Sequence, residues 1–302
     1  MGHGHSDKAA GHVGGRYRSR LAIAFVLTAT FFLVELVAGL LSGSLALIAD
    51  AGHMATDVVA LGASVVATRI AVRKDTSGRR SFGSYRAEVF ASGLAVLMML
   101  GVGIFVIVEA TQRIGADPDI ASTTMLVVGA LGLVVNLTSL ALLRRGAAES
   151  LNVKGAYLEV LGDAVGSLGV LVAGLLIAWT GNPMWDTLVA LGIGAFVLVR
   201  AYGLGRQVFA VLAQHVPAGM HLSTVEADLG AIPGVDDVHD LHIWTLTSGM
   251  HVATAHLVTS DGADAHGILD AARIALQDRH GIAHATLQVE PSTHEGCEEV
   301  GW

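Results

Sequence analysis

The chain has 302 residues, of which 53% are hydrophobic and only 15% carry a charged side chain. This composition excludes an ordinary soluble globular domain, in which about a quarter of the residues are charged. The formal net charge is −8, and the single cysteine, Cys297, excludes a disulfide bond within the chain.

Six apolar blocks, each about 20 residues long, predict six membrane-spanning helices. The predicted spans are residues 20–41, 44–68, 89–114, 122–143, 155–180 and 185–202. The first block is too long for the apolar segment of a cleavable signal peptide. We therefore expect residues 20–206 to form a transmembrane domain and residues 1–19 to form a solvated cytoplasmic tail that contains His3, His5 and His12.

Basic residues are concentrated in alternate connections between the spans. They precede the first span, separate the second from the third and the fourth from the fifth, and follow the sixth. The other connections, LLSGS, GADPDI and TGNPMWD, contain no Lys or Arg. The positive-inside rule therefore places both termini in the cytoplasm. The short loops favour a multi-pass protein of a prokaryotic plasma (inner) membrane.

From residue 207 to residue 302 the apolar runs are shorter, and histidines and charges are frequent. The stretches HLSTVEADLGAI and DAHGILDAARIALQDRH are typical of helices, whereas VDDVHDLHIWTLT, MHVATAHLVT and HATLQVE are typical of strands. This α-β-β-α-β order predicts a small cytoplasmic α+β domain. The predicted fold class is thus an α-helical membrane protein with six transmembrane helices plus this domain.

Two pairs of ionisable residues interrupt the apolar spans. His53 and Asp57 lie in the second span, and Glu159 and Asp163 lie in the fifth. The members of each pair are four residues apart and therefore share one helix face. Asp57 and Asp163 are at similar depths from the cytoplasmic edge, so the two pairs can meet. Ionisable groups at membrane depth are costly and usually mark a binding site or an ion pathway.

One imidazole and three carboxylates would form a tetrahedral site that suits Zn²⁺. The same donors accept Co²⁺, Cd²⁺ or Mn²⁺, and affinity alone does not exclude Ni²⁺ or Cu²⁺. Cu⁺ is disfavoured because these four residues offer no sulfur ligand, and Ca²⁺ because the oxygen cage is too small. The alternative interpretation is a buried hydrogen-bonded network that only joins helices.

Three further polar residues lie within the predicted spans. Asp50 precedes His53 by three residues, and we interpret it either as a partner that orients the imidazole or as a charge beside the metal path. Glu35 and Asn136 are interpreted as packing and hydration sites rather than as metal ligands.

With both pairs in view, the sequence resembles the cation diffusion facilitator family, in its zinc-exporter branch. The similarity covers nearly the whole chain. It is carried by ELVAGLLSGSLALIADAGHMATDVVAL, RSFGSYRAEVFASG, NVKGAYLEVLGDAVGSLGV and the segment from GVDDVHDLHIW to LQVEP. The resemblance implies a homodimeric six-span transporter in the lipid bilayer, with a cytoplasmic ferredoxin-like domain, that exports a divalent metal in exchange for protons. We expect neither enzymatic activity nor a nucleic-acid partner.

The resemblance places the transport site on His53, Asp57, Glu159 and Asp163. The zinc branch usually has a histidine at the position of Glu159, and this departure leaves room for Co²⁺, Cd²⁺ or Mn²⁺ beside Zn²⁺. A second metal site of the family, in the loop between the second and third spans, is not expected, because only Asp75 is available there.

In the cytoplasmic domain the resemblance points to a regulatory metal site, with Zn²⁺ as the candidate ion, at a dimer interface. His239 and His256 fall at plausible ligand positions. Relatives place further ligands near the last strand, where this chain has Gln288 and Glu290, and Cys297 is a candidate sulfur ligand. The alternative is that these histidines are only solvated or hydrogen-bonded.

A transport mechanism follows from the chemistry of such a site. Metal binding needs a neutral His53 and ionised carboxylates, so metal and protons compete for the same atoms. This competition is sufficient for antiport by alternating access. His53 is the best proton carrier, because an unperturbed imidazole titrates near neutral pH, and Glu159 is the candidate for a second. An intramembrane metalloenzyme and a metal-sensing scaffold are the competing classes.

Overall fold

The computed structural model of the chain describes residues 18–71, 73, 78–147 and 151–293. These residues form two compact units. The first comprises the residues up to Gly62 together with Leu94–Gly203, and the second comprises Ala63–Gly93 together with the residues from Leu204 onward. Five residues discussed above lie outside the described ranges, so their roles stay predictions: His3, His5, His12, Asp75 and Cys297.

Six helices confirm the predicted spans, and each is long and apolar enough to cross a membrane. Lipid offers the backbone no hydrogen bonds, so an uninterrupted helix is the structure that satisfies every peptide group within the segment. The helices are α1 (Arg18–Ser42), α2 (Leu45–Ala71), α3 (Ala87–Arg113), α4 (Ser122–Ala147), α5 (Leu151–Thr180) and α6 (Met184–Leu212).

The last of these helices is longer than the sequence predicted. The expected span ends at residue 202, where the hydrophobicity falls, whereas α6 continues to Leu212. A fall in hydrophobicity does not end a helix, because adding a residue to an existing helix requires no new nucleation. The chain leaves the helical conformation near Gln214, whose φ is 56°.

Within the first unit, α4 packs against α5 and α1. The approach of α4 to α5 is close because Gly129 carries no side chain, and a Cβ there would lie 3.1 Å from the backbone nitrogen of Leu171. Small residues favour such close approach in lipid, where no hydrophobic effect drives helices together. A Cβ at Gly166 of α5 would likewise overlap the Asp50 carboxyl group.

Asp186 of α6 caps the start of α2. Its carboxylate accepts hydrogen bonds from the backbone nitrogens of Leu45 at 2.7 Å and Ala46 at 3.2 Å, and from Ser44 Oγ at 2.6 Å. A carboxylate at a helix N-terminus is stabilised by the free amides and by the helix dipole. This contact holds α2, which carries His53 and Asp57, against α6.

The second unit contains the cytoplasmic domain, and its elements confirm the predicted α-β-β-α-β order. They are α7 (Leu222–Gly230), β1 (Val235–Thr247), β2 (Met250–Thr259), α8 (Ala265–His280) and β3 (His284–Pro291). The three strands form one sheet in the order β1-β2-β3, with β1 antiparallel to β2 and β2 parallel to β3. The parallel pairing requires a crossover, which α8 supplies. The arrangement is consistent with the expected ferredoxin-like domain.

The same unit includes the end of α2 and the start of α3. Thr247 Oγ1, at the end of β1, donates a hydrogen bond to Glu88 Oε2 of α3 at 2.8 Å. The rings of Phe82 and His284 meet edge to face, with their centroids 5.7 Å apart. Phe82, which precedes α3, and Glu88 of α3 therefore contact the strands of the cytoplasmic domain.

Candidate metal-binding sites

His53 and Asp57 of α2 and Asp163 of α5 converge in the first unit, and we call these three residues the intramembrane cluster. Nε2 of His53 lies 3.8 Å from Asp57 Oδ2 and 3.7 Å from Asp163 Oδ1. One ligand atom from each residue lies within 4.8 Å of the others. His53 and Asp163 are buried, whereas 26% of the Asp57 side chain is exposed. One nitrogen and two oxygen donors at this spacing can hold a divalent cation.

The predicted fourth ligand, Glu159, is not part of this cluster. Its side chain is 46% exposed, and it accepts a hydrogen bond of 2.6 Å from Nη2 of Arg200 in α6. The structure therefore brings three of the four predicted transport-site residues together and places the fourth beside an arginine.

Sequence reasoning missed Arg200 because it was counted among the basic residues at the end of the sixth span. In the structure it lies well within α6, where its Nη1 is 3.0 Å from His53 Nε2 and 3.6 Å from Asp57 Oδ2. The guanidinium also lies over the Phe196 ring, with Cζ 5.9 Å from the centroid. One signal was available in the sequence: FVLVRAYG places a single arginine after an apolar run, and such a residue usually pairs with an opposite charge.

A second group of buried polar residues lies behind the intramembrane cluster. Glu35 of α1 and Asp50 of α2 are almost fully buried, and their carboxyl groups are neighbours. No donor group of the described residues reaches either oxygen of Glu35 or Oδ2 of Asp50. A hydrogen bond between two carboxyl groups requires a proton on one of them. Asn136 of α4 donates to Ser167 Oγ at 3.2 Å, in keeping with its predicted packing role.

A cavity of about 610 Å³ reaches the buried histidine from the side of α5 and α6. Its polar lining includes His53 and Asp50, and the rest of its wall is largely apolar, with Gly162, Gly166 and Phe196 among the lining residues. Glycines at these positions leave room that larger side chains would fill.

A second group of potential ligands lies on the sheet of the cytoplasmic domain, and we call His239, His256 and Glu290 the tail cluster. His239 and His256 are paired across β1 and β2, with their ring centroids 5.2 Å apart. Glu290 of β3 is buried, and its carboxylate lies 2.8 Å from His256 Nδ1 and 3.8 Å from His239 Nε2. One atom from each of the three lies within 4.8 Å of the others.

Of the two residues expected near the last strand, the structure brings Glu290 to the two histidines. The two histidines and the glutamate come from three different strands, so no local spacing connects them. Gln288, the other residue expected near the last strand, donates a hydrogen bond to Glu290 Oε1 at 2.7 Å. It therefore orients the carboxylate rather than joining the cluster.

Comparison with known proteins finds two family matches along the chain. Residues 21–213 match the cation efflux transmembrane domain, and residues 217–292 match the cytoplasmic domain of cation efflux proteins. The two matches meet between residues 213 and 217, directly after the end of α6.

Relatives align with this chain over nearly their full length. The metal cation efflux system protein CzcD of Cupriavidus metallidurans is 43% identical over 301 residues, which cover 99% of this chain and 93% of that protein. The zinc transporter ZitB of Escherichia coli is 34% identical, with 96% and 93% covered. The cadmium, cobalt and zinc/H(+)-K(+) antiporter of Bacillus subtilis is 31% identical, with 97% and 93% covered. The chain therefore belongs to the cation diffusion facilitator family and is a multi-pass membrane transporter for metal cation efflux, not an enzyme.

Proposed function

We propose that this transporter exports Zn²⁺ as its main substrate in exchange for protons, and that the metal binds at the intramembrane cluster. The observation that carries the proposal is the convergence of His53, Asp57 and Asp163 from two helices. A nitrogen donor beside two carboxylates suits Zn²⁺ better than hard ions such as Mn²⁺. The relatives named for zinc, cadmium and cobalt support the same class of ions.

Glu159 joins the bound metal as a fourth ligand in this proposal. It lies one helical turn before Asp163 on the same face of α5, and its carboxylate is paired with Arg200. Release from Arg200 would make its carboxylate available to the metal. Four donors then complete the tetrahedral coordination that Zn²⁺ prefers.

Proton exchange follows from the nature of the ligands. A proton on His53 Nε2, or on a carboxylate of the cluster, occupies the atom that the metal needs. The neighbouring carboxyl groups of Glu35 and Asp50 lie near enough to hold a further proton beside the site. One relative is named as an antiporter, which supports coupling of this kind. The metal and the protons would then move in opposite directions by alternating access.

We propose the cellular arrangement on the distribution of basic residues. Lys and Arg on alternate connections place both termini in the cytoplasm of a cell bounded by the plasma (inner) membrane. The cytoplasmic domain would join two copies of the chain into a homodimer, as the family resemblance implies.

A flux experiment with purified protein in liposomes tests the substrate and the coupling. Zn²⁺, Co²⁺, Cd²⁺ and Mn²⁺ are offered one at a time. Each is measured with and without a pH gradient that drives protons in the direction opposite to metal transport. We expect Zn²⁺ to move fastest, the gradient to accelerate it and a protonophore to remove the acceleration. Equal flux after collapse of the gradient, between about pH 6 and pH 8 where free imidazole titrates, would make the protein a uniporter. Faster flux of Mn²⁺ would contradict the assignment of zinc.

We also propose that the tail cluster binds a regulatory Zn²⁺. Two imidazoles and a buried carboxylate within 4.8 Å supply three ligands of the kinds that Zn²⁺ prefers. The site is separate in sequence from the intramembrane cluster, so its occupancy would report the cytoplasmic metal concentration rather than take part in transport.

Replacing Glu290 with Gln should remove this second site. The amide keeps the volume of the side chain but loses the charge that favours a cation. Equilibrium dialysis of full-length Glu290→Gln against Zn²⁺ should give one bound ion fewer per chain than the parent, with transport retained at saturating metal. His266→Gln, which alters an 85% exposed histidine on α8, is the matched control and should leave the number unchanged. An unchanged number in Glu290→Gln would leave the tail cluster as a hydrogen-bonded network.

A further inference from the structure

A cationic side chain, that of Arg200, contacts the intramembrane cluster. The guanidinium of Arg200 reaches His53 Nε2 through Nη1, at 3.0 Å, and Glu159 through Nη2, at 2.6 Å. Its Nη1 also lies 3.6 Å from Asp57 Oδ2. Three of the four predicted transport-site residues therefore contact one arginine from a third helix, and this contact is not predicted by the spacing of any motif.

The contact with His53 engages the electron pair that a metal would use. A guanidinium can only donate hydrogen bonds, so His53 Nε2 must be the acceptor and must be unprotonated. The same nitrogen is the ring atom that faces Asp57 and Asp163, at 3.8 Å and 3.7 Å. Nε2 has one lone pair in the ring plane, and a metal would lie about 2.0–2.1 Å from it. The metal and the guanidinium therefore cannot both bind this atom.

The contact with Glu159 also blocks the predicted fourth ligand. As long as its carboxylate is paired with Arg200, Glu159 stays outside the cluster of His53, Asp57 and Asp163. Release of the arginine would free the imidazole nitrogen and the fourth carboxylate in the same step.

The net charge of the site also indicates that Arg200 opposes metal binding. Three ionised carboxylates and one guanidinium carry a net charge of −2, which a single divalent cation neutralises. Without Arg200, the site would hold three negative charges around one divalent ion and would bind it more tightly. A transporter must also release its substrate, so a charge that weakens binding is useful to it.

We propose that Arg200 is an internal competitor of the transported metal: its guanidinium occupies His53 and Glu159 in the metal-free site, is displaced when a divalent cation binds, and returns when the cation leaves. This inference rests on the proposed role of the intramembrane cluster. It assigns to Arg200 a positioning role, in which it sets the affinity of the site and the rate of release without touching the metal.

Binding and transport change in opposite directions if Arg200 acts in this way. When a competitor holds the competent state to a fraction of the molecules, the apparent Kd rises by the inverse of that fraction. Removing the guanidinium in Arg200→Gln should therefore lower the Kd for Zn²⁺ by about tenfold and slow Zn²⁺ flux at saturating metal. Arg200→Lys keeps the charge but cannot contact His53 and Glu159 as a planar fork, so its Kd should fall between the two.

The test is a Zn²⁺ titration of full-length protein in detergent, with Asp163→Ala as the reference. Zn²⁺ binding that is present in the parent but lost in Asp163→Ala is assigned to the intramembrane cluster. The Kd values of the Arg200 variants are compared for this part of the binding alone. Co²⁺ is titrated in parallel, because its visible spectrum reports whether four ligands surround the ion. Arg206→Gln, which removes an exposed arginine six residues later in α6, is the matched control and should match the parent.

The outcomes test two claims separately: that Arg200 competes with the metal, and that the intramembrane cluster is the transport site. A Kd that falls in Arg200→Gln, less so in Arg200→Lys, with slower flux, supports the competitor. A Kd that is unchanged or higher in Arg200→Gln, while Asp163→Ala still removes a binding component, overturns the competitor and leaves the transport site in place. If Asp163→Ala removes no component, the proposed transport site itself is wrong, and the inference fails with it. If Arg200→Gln does not fold, Arg200→Lys is compared with the parent instead. A Kd of Arg200→Lys equal to that of the parent then overturns the proposal.

Discussion

Asp163→Ala should abolish metal export while the protein still inserts into the membrane. Asp163 Oδ1 lies 3.7 Å from His53 Nε2, and α5 supplies no other residue to the intramembrane cluster. Loss of residues that only support metal ligands costs about 10–100-fold in affinity or activity, so loss of a direct ligand should cost at least a hundredfold. The measurement is Zn²⁺ flux into liposomes that contain equal amounts of folded protein.

Two companion variants separate loss of the ligand from loss of the fold. Asp163→Asn keeps the volume of the buried side chain and should be nearly as inactive as Asp163→Ala, because the amide does not carry the charge that binds the cation. Asp117→Asn alters an exposed carboxylate in the connection between α3 and α4 and should transport normally. Normal flux through well-inserted Asp163→Ala would remove this residue from the transport site.

Glu159→His should shift metal preference toward Zn²⁺ and away from Mn²⁺. The substitution restores the two-histidine, two-aspartate set that the resemblance to the zinc branch implies. Imidazole favours borderline-soft ions, whereas carboxylates suit hard ions such as Mn²⁺. It also deprives Arg200 of its carboxylate partner, which in the parent holds position 159 away from the cluster. We expect the Zn²⁺ to Mn²⁺ transport ratio to rise by about tenfold, which corresponds to about 1.4 kcal/mol in relative affinity.

Glu159→Gln distinguishes the effect of the nitrogen ligand from the effect of charge. It removes the same negative charge without adding an imidazole, so it should change the total flux more than the ratio between metals. Transport of Zn²⁺, Co²⁺, Cd²⁺ and Mn²⁺ is measured side by side in the parent and both variants. Ratios that stay the same in Glu159→His would mean that Glu159 does not contact the metal. The site would then consist of the three clustered residues with a fourth ligand from elsewhere.

The sequence alone determined the membrane architecture of this protein. Hydrophobic length is a local property, and the bilayer leaves a long apolar segment no alternative to a helix. The same locality explains why the pairs His53–Asp57 and Glu159–Asp163 could be found, since four residues make about one turn of a helix. Alternation of apolar residues was sufficient for the order of strands and helices in the cytoplasmic domain.

Only the tertiary structure decided which of these side chains meet. Three candidate ligands converge, but Glu159 pairs with Arg200 instead, because α6 brings a guanidinium to both His53 and Glu159. Glu290 joins His239 and His256 because β3 lies parallel to β2, a pairing that depends on the crossover through α8. Both contacts join residues more than 30 positions apart in the chain, and no periodicity along a single helix or strand carries information about them. The spacing of residues within a helix thus identified the candidate pairs in the membrane, whereas the packing of elements against one another decided which side chains meet.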